Sequence, residues 1–342
     1  MTATLFIRKA GPGLTVQDGG RPGLSHMGLS RGGAADPVAL HEAAALLGLR
    51  APVAAIEMAG TGGVFEVDAP TRIALTGAPM RARIGTQEIR WSASHLLEPG
   101  QHLTIGPAES GSYGYLTCAG GIATAPVLGS RAAHLAAGIG APLTAGAHLP
   151  LAPDPAPDTP AQGLTPEPRF AGGTVRFIDG PQTALFSPDT LDRFQATGFT
   201  RSATANRQGV RLEADTPPFA ATMTQGLSSD FILEGDLQMT GDGLPYVLLC
   251  ECQTIGGYPR IGTVIAADLP IVAQAPLGAT LRFQRISLDE ADRIAAAQLA
   301  QPGALRRRIA PLLRDPATIA DLLGYQLISG VTAGHDLEED PR

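Results

Sequence analysis

The stretch YVLLCECQTIGGYPR, residues 246–260, sets the first expectation for the fold of this chain. Side chains of a β-strand point alternately to its two faces, so residues 246–253 would place Val247, Leu249, Glu251 and Gln253 on one face. The Gly256-Gly257 pair that follows suits a tight turn, because glycine adopts backbone angles that other residues avoid. The stretch therefore predicts a half-buried strand that ends in a turn.

The same two-residue period recurs along the chain. Glycine turns separate most of these short runs, and the 342 residues include 42 glycines and 29 prolines. Many short strands joined by such turns favour a barrel or a sandwich over a parallel sheet with regular crossover helices. The other runs are Leu5 to Arg8, Val64 to Val67, Arg72 to Thr76, Ser112 to Cys118, Thr174 to Ile178 and Thr280 to Arg285.

Helix start signals are few. Asp36-Pro37 and Ser187-Pro188 each place a capping side chain before a proline at the first helical position. Ser287 with Glu290 forms a capping box ahead of an alanine-rich run, and Asp315-Pro316 opens a further helix. The sequence thus predicts a mainly β fold with a few short helices and a helical C-terminal segment.

A proline-rich stretch divides the chain. The sequence PLAPDPAPDTPAQGLTPEP, residues 150–168, has no apolar period and is typical of a linker. We therefore predict a first β domain over residues 1–150, a linker over 151–168, a second β domain over 169–286 and the helical segment over 287–342.

Composition excludes several classes of function. The net charge is −7 and the only basic run, Arg306 to Arg308, falls in a predicted helix as a solvated face, which argues against binding to nucleic acid. No apolar stretch approaches the roughly 20 residues that a membrane span needs. The N-terminal residues lack the pattern of a signal peptide, so we expect a cytoplasmic protein.

The cysteine and lysine content excludes further kinds of site. Cys118, Cys250 and Cys252 cannot all pair and are expected to be small buried apolar residues, and no metal site is predicted. Lys9 is the only lysine, so the chain can supply neither a P-loop lysine nor a biotin-carrying lysine. If ATP or biotin takes part, another chain must bring it.

Three segments could carry a site, and the first is QDGGRPG, residues 17–23. Asp18 and Arg21 are three residues apart and can form a hydrogen-bonded pair, while the glycines allow close approach of a ligand. Both residues are candidates for substrate binding. The alternative is that the pair only fixes a turn.

The second segment is NRQGVRL, residues 206–212. On a strand, Arg207 and Arg211 would share a face, because they are four residues apart. Together they could hold a carboxylate or phosphoryl group. The alternative is that the two arginines form surface salt bridges, which would have no role in binding a substrate.

The third segment runs from Gly235 to Arg260 and includes the strand quoted first. Gln238, Glu251 and Tyr258 are the candidate catalytic residues, because amide activation needs polar groups where charge develops on oxygen. Gly256 and Gly257 would offer peptide N–H groups to the same oxygen, and Arg260 a further donor. The alternative is a glycine hairpin held by an apolar contact.

Several segments together resemble the biotin-dependent carboxyltransferase family, which includes the C subunit of 5-oxoprolinase, KipA and proteins called allophanate hydrolase subunit 2. The similarity covers nearly the whole chain, and the long ordered block at 253–283 makes it specific. The segments include GPGLTVQDGGRPG (11–23), GLSRGGAADPVAL (28–40), CAGGI (118–122), LGSRAAHLAAGIG (128–140), QTIGGYPRIGTVIAADLPIVAQAPLGATLRF (253–283) and LISGV (327–331).

The resemblance implies two cyclophilin-like β-barrel domains and a partner similar to KipI or the B subunit of 5-oxoprolinase, with a LamB/YcsF-like A subunit as a third component. It implies first a role in the ATP-dependent conversion of 5-oxoproline to glutamate. A urea-carboxylase-type carboxyltransferase and a KipA-like regulator of a kinase inhibitor are the alternatives. In each case no cofactor is bound covalently, and ATP or carboxybiotin comes with the partner subunits.

Overall fold

A computed structural model describes residues 3–222, 228–299 and 301–312 of the chain. Strands dominate it, and the described residues contain five α-helices, which confirms the mainly β prediction. The helix predicted at Asp315-Pro316, the LISGV segment and most of the predicted C-terminal segment lie outside the described residues.

The first half is built from two antiparallel sheets. One has the strand order β11-β1-β4-β9-β6-β7, and the other begins β2-β3-β10-β5-β8. Leu5, Ile7 and Phe65 from the first sheet pack against Ile56 and Leu116 from the second, so the core lies between them. The strands are β1 (Thr4–Ala10), β2 (Thr15–Gln17), β3 (Ala55–Ala59), β4 (Gly63–Val67), β5 (Thr71–Gly77), β6 (Met80–Ile84), β7 (Gln87–Ile89), β8 (Ala93–Leu97), β9 (Leu103–Ala108), β10 (Tyr113–Cys118) and β11 (His148–Pro150).

Helix α1 (Pro37–Leu46) begins where the sequence predicted it. The Asp36 side chain accepts a hydrogen bond from the peptide N–H of Ala39, and Pro37 occupies the first turn. Most of the helix is buried, including the carboxylate of Glu42, because α1 packs against β5 and β10. A buried carboxylate needs a partner, and the second half of the chain supplies it.

The second half closes into a seven-stranded barrel with the order β13-β20-β17-β18-β15-β14-β21. Its interior holds a cluster of five phenylalanines whose ring centroids lie 5.0–6.4 Å apart in the contacting pairs: Phe177, Phe194, Phe199, Phe219 and Phe283. The remaining strands are β12 (Gln162–Gly163), β13 (Gly173–Ile178), β14 (Gly198–Asn206), β15 (Gly209–Glu213), β16 (Asp230–Phe231), β17 (Asp236–Met239), β18 (Pro245–Leu248), β19 (Ile255–Gly256), β20 (Arg260–Val264), β21 (Thr280–Arg285) and β22 (Ala310–Pro311).

Short elements complete the chain. Strands β16 and β19 pair with each other outside the barrel, and we call this pair the ribbon. Within the stretch predicted as a linker, β12 pairs with Ala93 of β8 and with β22, so this stretch attaches to the first half. The predicted domain boundaries stay predictions. The further helices are α2 (Pro188–Ala196), α3 (Leu269–Gln274), α4 (Leu288–Leu299) and α5 (Gln301–Arg308).

A buried polar network joins the two halves. Arg169 donates to Asp36 at 2.7 Å and to both oxygens of Glu42 at 2.9 and 2.7 Å. Gln274 of α3 donates to Asp36 and to the carbonyl of Tyr113, both at 2.8 Å. We call this set the Arg169 network.

Within the described residues, no helix has both the length and the apolar character needed to cross a membrane.

Candidate functional site

Arg207 and Glu251, which the sequence analysis placed on strands, lie in turns. Strand β18 ends at Leu248, so Glu251 sits in the turn that follows it, and Arg207 lies in the turn between β14 and β15. The prediction that Arg207 and Arg211 share one strand face is therefore wrong. The backbone leaves the barrel wall at both turns, which directs Arg207 and Glu251 toward the first half of the chain.

Arg207 lies in a buried charged cluster between the two halves. Its Nε donates to Glu251 at 2.7 Å, one terminal nitrogen donates to Glu57, and the other donates to the carbonyl of Gly33. Glu57 also accepts from the hydroxyl of Tyr115 at 2.6 Å. We call this set the Arg207 cluster. Every guanidinium nitrogen thus donates to an acceptor within the protein. The charge of Arg207 neutralises the two buried carboxylates of Glu57 and Glu251.

The pKa values of Arg207 and Tyr115 agree with the geometry of the Arg207 cluster. Burial opposes the charge of Arg207, yet the carboxylates of Glu57 and Glu251 outweigh it and raise its pKa well above the ordinary value. Burial also raises the pKa of Tyr115, and the neighbouring Glu57 adds to this effect. Arg207 thus stays charged and Tyr115 stays a neutral hydrogen-bond donor.

His134, Ser30 and Glu251 superficially resemble a catalytic triad. Ser30 Oγ lies 2.9 Å from His134 Nε2, and His134 Nδ1 lies 4.0 Å from Glu251 Oε2. However, Nδ1 accepts a hydrogen bond from the peptide N–H of Ala137 at 3.2 Å. The ring proton is therefore on Nε2, where it donates to Ser30. This tautomer cannot remove a proton from serine, so the trio fixes the loop around His134 and does not activate a nucleophile.

The buried His134 predicts a pH-dependent stability. Burial lowers its pKa, as it does for His41 and His95, so the folded chain takes up protons at lower pH than the unfolded chain. Stability should therefore fall as the pH drops below about 6.5, by at most about 1.4 kcal/mol per histidine and pH unit. Urea unfolding at pH 7.5 and 5.5 should show a smaller difference for His134→Gln than for the wild type. An equal difference would contradict the assignment.

Gln238 and Arg260 lie beside the ribbon. Arg260 donates to Asp236 at 3.2 Å and also to Asp230 and the carbonyl of Phe231, so it pins the ribbon to the barrel. Gln238 is buried under Gly256, where a Cβ atom would lie only 2.8 Å from its side-chain nitrogen. That nitrogen has no hydrogen-bond partner among the described residues.

A cleft opens at the end of the barrel where β17 passes into β18. Its volume is about 470 Å³, and Tyr258, Gly257, Thr240 and Asp242 are among the residues that line it. Tyr258 is half exposed, and Asp242 forms a partly exposed ion pair with Arg211. We call it the Tyr258 cleft. Its size falls within the range of small-molecule sites, roughly 300–1,000 Å³.

Asp18 and Arg21 hold a loop of the first half. Asp18 accepts from the peptide N–H of Arg131 at 2.7 Å and from the hydroxyl of Ser130. Arg21 is buried and donates to the carbonyls of Val127 and Ala132 at 2.8 and 2.7 Å. The two residues do not hydrogen-bond to each other, contrary to the pair considered from their spacing, and their polar groups serve the 127–132 loop.

The predicted site residues therefore fall into separate places. Arg207 and Glu251 meet in the Arg207 cluster, Gly257 and Tyr258 meet at the Tyr258 cleft, and Arg211 reaches that cleft through Asp242. Sequence reasoning missed Glu57 and His134, which come from the first half. The motif LGSRAAHLAAGIG contains His134, but its contact with Glu251 spans more than a hundred residues.

The cysteines are buried, as predicted. Burial raises the pKa of Cys118, Cys250 and Cys252 to about 12, so the thiols stay protonated. Among the described residues, no group of three histidine, cysteine or acidic side chains could hold a metal ion. Lys9 lies exposed in β1, a position unlike the turn that carries biotin.

The family assignment agrees with this geometry. Residues 27–285 match the family model described as "Carboxyltransferase domain, subdomain A and B". The chain belongs to this carboxyltransferase domain family. The matched range contains the Arg207 cluster, the Tyr258 cleft and the whole barrel, and it confirms the family expected from the sequence motifs.

Two bacterial relatives match this carboxyltransferase-domain chain over most of their length. The chain is 36% identical over 292 residues to the C subunit of 5-oxoprolinase from Escherichia coli K12, covering 84% of this chain and 93% of that protein. It is 31% identical over 284 residues to the C subunit of 5-oxoprolinase from Haemophilus influenzae, covering 82% and 90%. A solved structure of the Kluyveromyces lactis urea carboxylase shares the fold, with a TM-score of 0.80, 23% identity and coverage of 92% of this chain and 31% of that one.

Proposed function

We propose that this chain is the C subunit of a 5-oxoprolinase and takes part in the ATP-dependent opening of 5-oxoproline to glutamate. The observation that carries the proposal is the similarity to the E. coli C subunit over 93% of its length. The partners would be a KipI-like B subunit and a LamB/YcsF-like A subunit. A cytoplasmic location goes with this proposal, because the reaction consumes ATP.

The Tyr258 cleft is the place that we propose for the lactam. Opening a lactam places negative charge on its carbonyl oxygen, and donors fixed in advance stabilise that charge at little reorganisation cost. Tyr258 and Gly257 both line the cleft, and the Tyr258 hydroxyl is the donor that we propose for this oxygen. Gln238 does not line the cleft but lies buried beneath the neighbouring Gly256, and its amide nitrogen has no hydrogen-bond partner among the described residues. Glu251 and Arg207, by contrast, are assigned to holding the two halves together.

Carboxyl transfer is the second candidate function. The matched family model is named for a carboxyltransferase domain, and the fold is shared with a urea carboxylase. Urea and 5-oxoproline both contain an N–C=O unit, so one cleft with oxygen-directed donors could serve either substrate. With Lys9 as its only lysine, near the end of β1, the chain would depend on biotin carried by another chain.

The chain alone is expected to be inactive, and the assembled complex active. The reason is that it has neither a P-loop lysine nor a biotinyl lysine. The three proteins would be co-expressed from neighbouring genes, separated by size-exclusion chromatography and assayed for glutamate release from 5-oxoproline with ATP. Turnover by the isolated chain, or separate elution of all three proteins at micromolar concentration, would contradict the proposal. Urea carboxylation without 5-oxoproline turnover would favour the second candidate.

A further inference from the structure

Three motifs of the sequence converge on a pocket in the first half that lies outside the Tyr258 cleft. Its volume is about 360 Å³, and its walls include Asp18, Gly20, Gly121, Gly129 and Arg131. These residues belong to QDGGRPG, CAGGI and LGSRAAHLAAGIG, the first of which is far from the other two in sequence. We call it the Arg131 pocket. Five of the residues that line it are glycines, which contribute no side chain.

Close backbone packing requires those glycines. At Gly120, a Cβ atom would lie 1.6 Å from the carbonyl oxygen of Ala152. At Gly20, with φ of 78°, a Cβ atom would lie 2.5 Å from the carbonyl oxygen of Arg31. Larger residues would shift the backbone at either position. These glycines are thus required because the chain packs closely against itself beside the pocket.

The loop that carries Arg131 contains a tight two-residue turn. Leu128 has φ of 51° and Gly129 follows with φ of 82°, between Val127 and Ser130, which hydrogen-bond to each other. A two-residue turn of this kind requires positive φ at both central residues. Arg21 and Asp18 hold the turn from another segment through the hydrogen bonds described above, so the position of Arg131 is fixed.

Arg131 is one of the residues that line the pocket, and it is exposed. Its Nε donates to the carbonyl of Thr124 at 2.8 Å and its peptide N–H donates to Asp18. Its two terminal nitrogens make no hydrogen bond to any described residue. The formal charges of Asp18, Arg21 and Arg131 sum to +1, and both oxygens of Asp18 already accept hydrogen bonds from the loop.

We propose that the Arg131 pocket binds a small oxyanion, held by the terminal nitrogens of Arg131. The planar guanidinium matches the two oxygens of a carboxylate or phosphoryl group. A volume near the lower end of the range for small-molecule sites suits a small acid or inorganic phosphate and not a whole nucleotide. This inference goes beyond the proposed function and rests on the pocket alone, so it can fail independently.

The test is titration of the wild-type chain and the Arg131→Gln variant with sodium 5-oxoproline and, separately, inorganic phosphate, by isothermal calorimetry at low salt. We expect millimolar or tighter binding of at least one probe and a loss of tenfold or more in Arg131→Gln. Arg131→Lys keeps the charge without the two-pronged geometry and should lose less. A loss of 5-oxoproline binding alone in Arg131→Gln would assign a carboxylate ligand to the pocket, and a loss of phosphate binding alone a phosphoryl ligand, because binding in the Tyr258 cleft should not depend on Arg131.

The control is Arg83→Gln, which removes an exposed arginine from β6 and should leave both affinities unchanged. Absence of binding by the wild type, both alone and in the assembled complex, would overturn the inference. So would equal affinities of the wild type and Arg131→Gln. The readout is binding and not turnover, so failure of the 5-oxoprolinase proposal would leave this test intact.

Discussion

Replacing Arg207 by methionine should lower the free energy of unfolding by about 3–5 kcal/mol, because it leaves buried carboxylates without their cation. Glu57 and Glu251 are 1% and 3% exposed, so water cannot take over the role of the guanidinium. The loss also strands the carbonyl of Gly33, which accepts from Arg207. Chemical denaturation followed by circular dichroism measures the difference.

A matched control lies on the same hairpin. Arg211 forms an ion pair with Asp242 in which the two side chains are 36% and 44% exposed, so Arg211→Met should cost under about 1 kcal/mol. If Arg207→Met does not fold, adding Glu57→Gln and Glu251→Gln should restore folding, because no charge is then left unpaired. Equal stability of Arg207→Met and Arg211→Met would show that the cluster does not hold the halves together.

Removing the hydroxyl of Tyr258 should slow the assembled enzyme without affecting its fold. Loss of one donor to a developing oxyanion typically costs about 10²–10³ in turnover, and we expect Tyr258→Phe to fall in that range. The melting temperature should stay the same, because the side chain is 50% exposed. Initial rates of glutamate release with saturating ATP and 5-oxoproline provide the measurement.

Tyr246→Phe is the companion variant, since Tyr246 lies on β18 and does not line the cleft. It should retain wild-type turnover. If Tyr258→Phe also turns over at the wild-type rate, the lactam does not bind where we propose. If the Tyr258→Phe variant no longer binds its partner proteins, Tyr258 belongs to a subunit interface and not to the active site.

The fold could be predicted well because its signals are local. Alternating runs such as Thr174 to Ile178 and Thr280 to Arg285 became strands β13 and β21 with nearly the predicted bounds. The caps at Asp36 and Ser187 likewise began helices where expected. Each signal depends on neighbours within a few residues, and tertiary packing did not override it.

The stretch that opened the sequence analysis shows where such reasoning fails. Its alternation extends through Gln253, but the strand ends at Leu248 because the chain must turn to carry Glu251 to Arg207. Periodicity gives no information about a contact with the first half. The strand was therefore predicted correctly in type and five residues too long at its C-terminal end.

The site was harder to predict because its parts are distant in sequence. Glu57 lies 150 residues from Arg207, and nothing near Glu57 distinguishes it from an ordinary strand acid. Arg131 was quoted only within a motif, since its role depends on a turn that Asp18 and Arg21 hold from another segment. A loop arginine beside Gly129-Ser130 was the one available signal, and it is too common to decide a site.

The Arg169 network bears on how this architecture can be inherited. Asp36 and Glu42 belong to the first half, whereas Arg169 and Gln274 follow the proline-rich stretch, and all four are buried. A gene fusion, a circular permutation or an exchange of one half between relatives would preserve folding only if these residues travelled as a compatible set. The two halves are thus interlocked at this point and do not behave as interchangeable modules, and one apolar core cluster also contains residues of both, such as Leu40 and Val175.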